Sequence, residues 1–102
     1  MPQALSGSEL ESAARGLPGW QQEGGALVKE LKFADFSQAF AFLTRLAMVA
    51  EKRGHHPDFH SSYSRVRLEL RSHDAGGVTQ RDVDLAQAVE ELLRSPPSAQ
   101  KA

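Results

Sequence analysis

The stretch that decides the fold is RVRLELR, residues 65–71. Val66, Leu68 and Leu70 alternate with charged residues, so an extended chain places its apolar side chains on one face and its charged side chains on the other. This alternation predicts a β-strand with one face on the core and the other in solvent. Such a strand needs partner strands and a layer of helices over its apolar face.

Three further strands are predicted around it. Gly24-Gly25 separates Trp20–Glu23 from Ala26–Phe33, and this arrangement predicts a β-hairpin because glycine adopts positive φ without steric cost. Lys29 falls among the apolar residues on one face of the second hairpin strand, which predicts an edge position or a bulge there. Asp58–Ser61 is expected to be a short strand or an extended segment.

Helix starts are predicted where a capping residue is followed three residues later by a polar partner; the pairs are Ser6 and Glu9, Asp35 and Gln38, and Thr79 and Asp82. The first helix is expected to stop at Gly16, and the second to run to about Arg53. The resulting order, α-β-β-α-β-β-α, predicts an α+β fold, with three helices packed on one face of a four-stranded antiparallel sheet. We expect a single domain over residues 1–95 and a flexible C-terminal tail over residues 96–102.

The second helix carries more apolar residues than one buried face needs. Its two apolar rows are Phe36, Phe40, Leu43 and Ala47, and Ala39, Phe42, Leu46 and Val49. We expect one row to cover the sheet and the other to meet a partner subunit, and we expect the three phenylalanines to be core residues rather than a binding motif. The alternative is that the first or last helix of the same chain covers the second row.

Composition excludes several classes of function. The formal net charge of −1 argues against a partner that is a nucleic acid or an anionic membrane, because such partners require a basic excess. No apolar run approaches the ~18 residues of a membrane helix. The absence of cysteine excludes disulfides and thiolate metal sites. The first ten residues, MPQALSGSEL, carry no secretion signal, so a cytoplasmic protein is expected.

Three of the four histidines lie in EKRGHHPDFH, residues 51–60, and the fourth is His73. Capping of the helix C-terminus explains His55 or His56, because an imidazolium suits the negative end of the helix dipole. A metal site is a second hypothesis, since His56, Asp58 and His60 share one face of an extended segment, but their spacing matches no strong zinc pattern. Acid–base chemistry is the third, because imidazole donates and accepts protons near neutral pH.

The spacing of these histidines resembles a known family. Glu51, His55-His56-Pro57, Tyr63, His73 and Asp82 are separated by three, five, nine and eight residues. This pattern is similar to the signature of the pterin-4a-carbinolamine dehydratases. The flanking segments LKFADFSQAFAFLTRLAMVAEK and SHDAGGVTQRDVDLA also resemble the family, so the likeness covers about residues 5–95.

The resemblance implies an α+β fold and a dehydratase that removes water from 4a-hydroxytetrahydropterin to give quinonoid dihydropterin, in the service of aromatic amino acid hydroxylases. It implies a pterin substrate, no metal or organic cofactor, and a homo-oligomer, with a tetramer expected first and a dimer second. One animal branch of the family is also a dimerisation cofactor, so a non-catalytic dimerisation or assembly factor is the alternative function.

Carried over by position, the resemblance assigns catalysis to His55, His56 and His73, in roles that the sequence does not divide between them. The residues expected to orient these imidazoles, to fix the turn or to contact the pterin are Glu51, Gly54, Pro57, Arg71, Ser72, Asp74 and Asp82. Asp82 has a second interpretation as a simple helix cap. Phe59 stands where many members have tryptophan, so a smaller pocket wall is expected.

Overall fold

The computed structural model describes residues 3–94, and the tail predicted over residues 96–102 lies outside this range. The helices are α1 (Gly7–Arg15), α2 (Phe36–Arg53) and α3 (Gln80–Arg94), and the strands are β1 (Gln21–Glu23), β2 (Ala26–Lys32), β3 (Asp58–Ser62) and β4 (Arg65–Leu70). This order confirms the α+β fold that the sequence predicts. Within residues 3–94, none of the helices combines the length and the apolar character that crossing a bilayer requires.

The four strands form one antiparallel sheet in the order β1-β2-β4-β3. In β4 the alternating residues Val66, Leu68 and Leu70 are all buried, and they pack in one core with apolar residues of α2 and α3. Leu10 of α1 lies at the margin of the same core. The helices therefore cover one face of the sheet, because the alternation in β4 leaves only that face apolar.

The predicted edge position or bulge at Lys29 is wrong. β2 is a central strand, paired with β1 on one side and with β4 on the other, and its register with β4 runs without interruption from Leu27 to Lys32. The Lys29 ammonium donates to Glu90 of α3 at 2.6 Å and to the backbone carbonyl of Pro18 at 3.0 Å. These two acceptors satisfy the charge at the rim of the core, so the strand tolerates a lysine on its covered face.

The two apolar rows of α2 have different environments. Ala39, Phe42 and Leu46 of the second row are buried against the sheet. The first row is divided: Leu43 is buried in the same core, whereas Phe36 and Phe40 are 52% and 58% exposed. The expectation that these two phenylalanines belong to the core is wrong. Their rings pack against each other, with centroids 5.9 Å apart, on the outer side of the helix.

Candidate active site

Each of the three candidate histidines faces a carboxylate. His55 Nε2 lies 2.6 Å from Asp82 Oδ1, His56 Nε2 lies 3.0 Å from Glu51 Oε1, and His73 Nε2 lies 3.3 Å from Asp58 Oδ2. The His55 side chain is only 12% exposed, whereas those of His56 and His73 are 65% and 74% exposed. One pair is thus sheltered from solvent, and the other two are open to it.

The end of α2 separates the adjacent histidines into these two environments. Gly54 follows the helix in the left-handed conformation, with φ of 67°, and its amide bonds back to the last turn. A Cβ on Gly54 would meet no atom within 4 Å, so glycine is favoured there by the backbone angle and not by lack of space. After this turn His55 is directed inward and His56 remains beside Glu51, while Pro57 leads into β3.

Asp82 is the centre of a buried hydrogen-bond network. It is fully buried in the first turn of α3, and its Oδ2 accepts from the Ser72 hydroxyl at 2.8 Å and from the Thr79 amide at 2.9 Å. The Ser72 and Thr79 hydroxyls lie 2.8 Å apart. Oδ1 therefore faces His55, and Oδ2 caps the helix, so both interpretations of Asp82 hold in one residue.

The segment after β4 carries the third histidine. Ser72 and Gly77 bridge the two sides of a turn through their backbones, and His73 lies within this turn. Asp58 Oδ2 lies 3.9 Å from Arg71 Nε as well as 3.3 Å from His73. Asp74 accepts from Arg81 Nη2 of α3 at 2.6 Å. The turn is therefore attached to both β3 and α3 by polar contacts.

Two carboxylates near the histidines are held in the ionised form. The Arg81 guanidinium lowers the pKa of Asp74 by hydrogen bonding, the nearby His55 ring lowers it further, and desolvation opposes both. The pKa of Glu69 is lowered chiefly by its hydrogen bond from Arg67, with Arg71 and His60 contributing. Both carboxylates are therefore ionised near neutral pH, and each is paired with at least one arginine.

The structure brings together most of the residues singled out in the sequence. Ser72 is buried and engaged with Asp82, which gives it a supporting position. The residues of the alternative metal hypothesis do not converge: within residues 3–94 no group of three or more His, Cys, Asp or Glu side chains could hold a metal ion. The sequence does not indicate two of the contacts, Asp58 with His73 and Ser72 with Thr79. Its patterns identify Thr79 only as a helix cap and Asp58 only as a possible metal ligand.

A groove of about 870 Å³ lies elsewhere, between the C-terminal half of α2 and α3. It is lined by charged residues of both helices, including Arg45, Arg53, Asp84 and Glu91, and by none of the histidines. It therefore lacks the side chain whose ordinary pKa lies nearest to neutral pH. We therefore place the candidate active site at the histidines and not in this groove.

The fold and the site define a small α+β domain with histidine–carboxylate pairs at one end of its sheet. A family model described as "Pterin 4 alpha carbinolamine dehydratase" matches residues 3–92. Proteins of Synechococcus sp. (strain WH7803) and Rhodopseudomonas palustris (strain HaA2), both named "Putative pterin-4-alpha-carbinolamine dehydratase", are 46% and 44% identical to this chain. Each alignment spans 90% of this chain, and they span 99% and 93% of the respective relatives.

Two solved structures resemble the domain. A transcriptional coactivator/pterin dehydratase from Brucella melitensis superposes with a TM-score of 0.85 at 38% identity, covering 87% of this chain and 97% of that chain. A pterin dehydratase-like protein identified as a RuBisCO assembly factor in the alpha-carboxysome has a TM-score of 0.59 at 24% identity, covering 81% of this chain and 89% of that one. The second shares the fold alone. The chain belongs to the pterin-4a-carbinolamine dehydratase family.

Proposed function

We propose that this chain is a dehydratase that removes water from 4a-hydroxytetrahydropterin and releases quinonoid dihydropterin, by acid–base catalysis with its histidines. Family membership supports the reaction class. The observation that carries the proposal is the sheltered pair of His55 and Asp82, in which a fully buried carboxylate faces an imidazole at 2.6 Å. Such a pair orients the ring and stabilises its protonated form during proton transfer.

The reaction needs two proton transfers and no covalent intermediate. Hydroxide is a poor leaving group, so an acid protonates the 4a oxygen while the carbon–oxygen bond breaks and water departs. A base removes the proton from the neighbouring ring nitrogen, and its electron pair forms the carbon–nitrogen double bond. Three imidazoles of different exposure provide both functions near neutral pH.

The proposed substrate is a pterin, and no metal or organic cofactor takes part in the proposed reaction. The physical reason is that protonation of the leaving oxygen by an imidazole supplies the activation that a Lewis acid would otherwise give. By family resemblance, the biological partner of the reaction is an aromatic amino acid hydroxylase, whose oxidised pterin the dehydratase would return to use.

A non-catalytic assembly or dimerisation role on the same fold is the alternative. One solved protein of this fold is described as a RuBisCO assembly factor, although its 24% identity relates it to this chain by fold only. A scaffold gains nothing from three imidazoles that each face a carboxylate, and their presence here favours the enzyme.

A spectrophotometric dehydration assay on the purified protein tests the proposal. Alanine at His55, His56 or His73 is expected to lower turnover by ~10²-fold, the scale of losing one acid–base group. His60→Ala is the matched control. His60 is an exposed histidine of β3, and it is not the partner of Asp82, Glu51 or Asp58. Turnover should also survive chelation of metals.

The double variant His55→Ala/His73→Ala provides the decisive comparison. A wild-type rate in this variant, with an unchanged circular dichroism spectrum, would show that the assignment of the histidines is wrong. One metal ion bound per chain, together with activity lost on chelation, would instead contradict a metal-free mechanism. Wild-type protein without dehydratase activity would favour the assembly role.

A further inference from the structure

The buried hydroxyls of Ser72 and Thr79 are connected to His55 through Asp82, and the proposed proton transfers do not use them. Ser72 and Thr79 are 1% and 0% exposed, so neither can touch a bound substrate. Their oxygens are 2.8 Å apart, and the Ser72 hydroxyl is 2.8 Å from Asp82 Oδ2. A buried hydroxyl is costly unless it is hydrogen-bonded, and both of these hydroxyls are.

The hydrogen bonds of this pair have a single direction. Ser72 has one hydroxyl proton and donates it to Asp82, so the Thr79 hydroxyl must donate to Ser72. Thr79 Oγ1 in turn accepts from the amide of Arg81 at 3.2 Å. Every donor in the series therefore points towards the Asp82 carboxylate.

The hydrogen bonds that run from Thr79 through Ser72 to Asp82 bear on which nitrogen of His55 carries the proton. Asp82 Oδ2 already accepts two hydrogen bonds, and Oδ1 lies 2.6 Å from His55 Nε2. An ionised carboxylate can only accept, so this contact requires the proton to be on His55 Nε2. A neutral His55 ring then carries its proton on Nε2 and leaves the lone pair on Nδ1, which is the nitrogen able to take a proton. Loss of the hydrogen bonds from Ser72 and Thr79 would orient Asp82 less firmly, and the Nε2-protonated tautomer of His55 would then be less strongly favoured.

Ser72 also connects the two histidine segments. Its side chain belongs to the Asp82 network, whereas its backbone anchors the turn that carries His73: Ser72 N donates to the Gly77 carbonyl at 2.8 Å, and Ala75 N donates to the Ser72 carbonyl at 3.0 Å. A shift of Ser72 would thus displace His55 and His73 relative to each other.

We propose that Ser72 and Thr79 are positioning residues of the site: their hydroxyls orient Asp82, fix the tautomer of His55, and hold the His73 turn in register with it. This role rests on the proposed dehydratase function. It predicts an effect on turnover and not on substrate affinity, because neither residue reaches the substrate.

Two substitutions of Thr79 separate the hydroxyl from the shape of the side chain. Thr79→Val keeps the shape and removes the hydroxyl, whereas Thr79→Ser keeps the hydroxyl and removes a methyl group. Thr79→Val and Ser72→Ala are each expected to lower kcat by ~10-fold with KM almost unchanged, as for the loss of one hydrogen bond that matters in the transition state. Thr79→Ser is expected to stay within ~2-fold of wild type.

Nitrogen-15 NMR of the histidine rings gives a readout that does not depend on activity. In Thr79→Val and Ser72→Ala the His55 signals should move away from the Nε2-protonated tautomer, while those of His56, paired with exposed Glu51, should not move. If one of Thr79→Val and Ser72→Ala fails to fold, the other provides the test. If the wild type proves inactive, the dehydratase proposal fails, and the His55 signals alone decide the positioning role.

Unchanged His55 signals in both hydroxyl-free variants would overturn the inference. In an active wild type, an unchanged kcat in these variants would overturn it as well, and so would a loss in Thr79→Ser as large as that in Thr79→Val. The last result would show that packing of the methyl group, and not the hydroxyl, supports the site.

Discussion

The outer stripe of α2, formed by Phe36, Phe40, Ala47 and Met48, is expected to pair subunits. Phe40 is 58% exposed. Since a phenylalanine presents ~200 Å², about 115 Å² of it remains to be covered. At ~25 cal/mol per Å², full burial contributes about 3 kcal/mol per copy. A two-fold contact contains the residue twice, so Phe40→Ala should weaken pairing by up to about 6 kcal/mol, or ~10⁴-fold in Kd.

Sedimentation equilibrium from nanomolar to micromolar concentration measures this effect. The wild type is expected to form a tetramer, or failing that a dimer, and Phe40→Ala to dissociate towards the 11.1 kDa monomer. Gln38→Ala is the control on the same helix, because Gln38 is exposed but lies 200° around the axis from Phe40. A wild type that remains an 11.1 kDa monomer at micromolar concentration would refute the reasoning, as would equal Kd values for Phe40→Ala and wild type.

Two further predictions concern stability. Glu90 accepts hydrogen bonds from Lys29 and from the indole of Trp20 at the rim of the core. Glu90→Ala should therefore lower the free energy of unfolding, measured by urea titration, by about 2–3 kcal/mol. Glu90→Gln should lower it by less, since an amide oxygen still accepts from the indole. An equal loss in both variants would contradict this order. The pKa of Asp74 is lowered by Arg81, so the ionised form stabilises the fold above the ordinary pKa and this stabilisation is lost as pH falls below about 4. Asp74→Asn should therefore flatten the acid limb of the stability curve, whereas Glu11→Gln, at an exposed carboxylate of α1, should leave it unchanged.

The elements of the fold could be predicted because their signals are local. The alternation in RVRLELR requires only neighbouring residues, and so does the cap of α2, in which Asp35 accepts from the amide of Gln38 at 2.8 Å. The capping box at Ser6 and Glu9 forms as its spacing predicts. Such patterns identify where strands and helices begin, and short connections between them restrict the order to few topologies.

The errors in the fold arise where a distant residue decides. Lys29 is accommodated in a central strand by its ion pair with Glu90, which lies 61 residues away along the chain. The residues around Lys29 in the sequence do not indicate this partner. Both apolar rows of α2 contain phenylalanine and leucine, so periodicity shows that the helix is apolar over a wide arc without showing which part of the arc meets the sheet. The expectation that Phe36 and Phe40 lie in the core therefore fails, because both are more than half exposed.

The site shows the same division between local and distant information. Sequence spacing located the histidines, but His55 and His56 are indistinguishable as neighbours in a chain. Their environments differ because Gly54 ends α2 in a left-handed turn and because His55, unlike His56, contacts Asp82. The sequence likewise presented Asp82 as either a helix cap or a site residue. These roles are compatible because a carboxylate has two oxygens: Oδ2 caps α3, and Oδ1 meets the imidazole. The start of α3 is therefore placed by the same side chain that orients His55, and the position of the helix and the geometry of the candidate site are physically coupled.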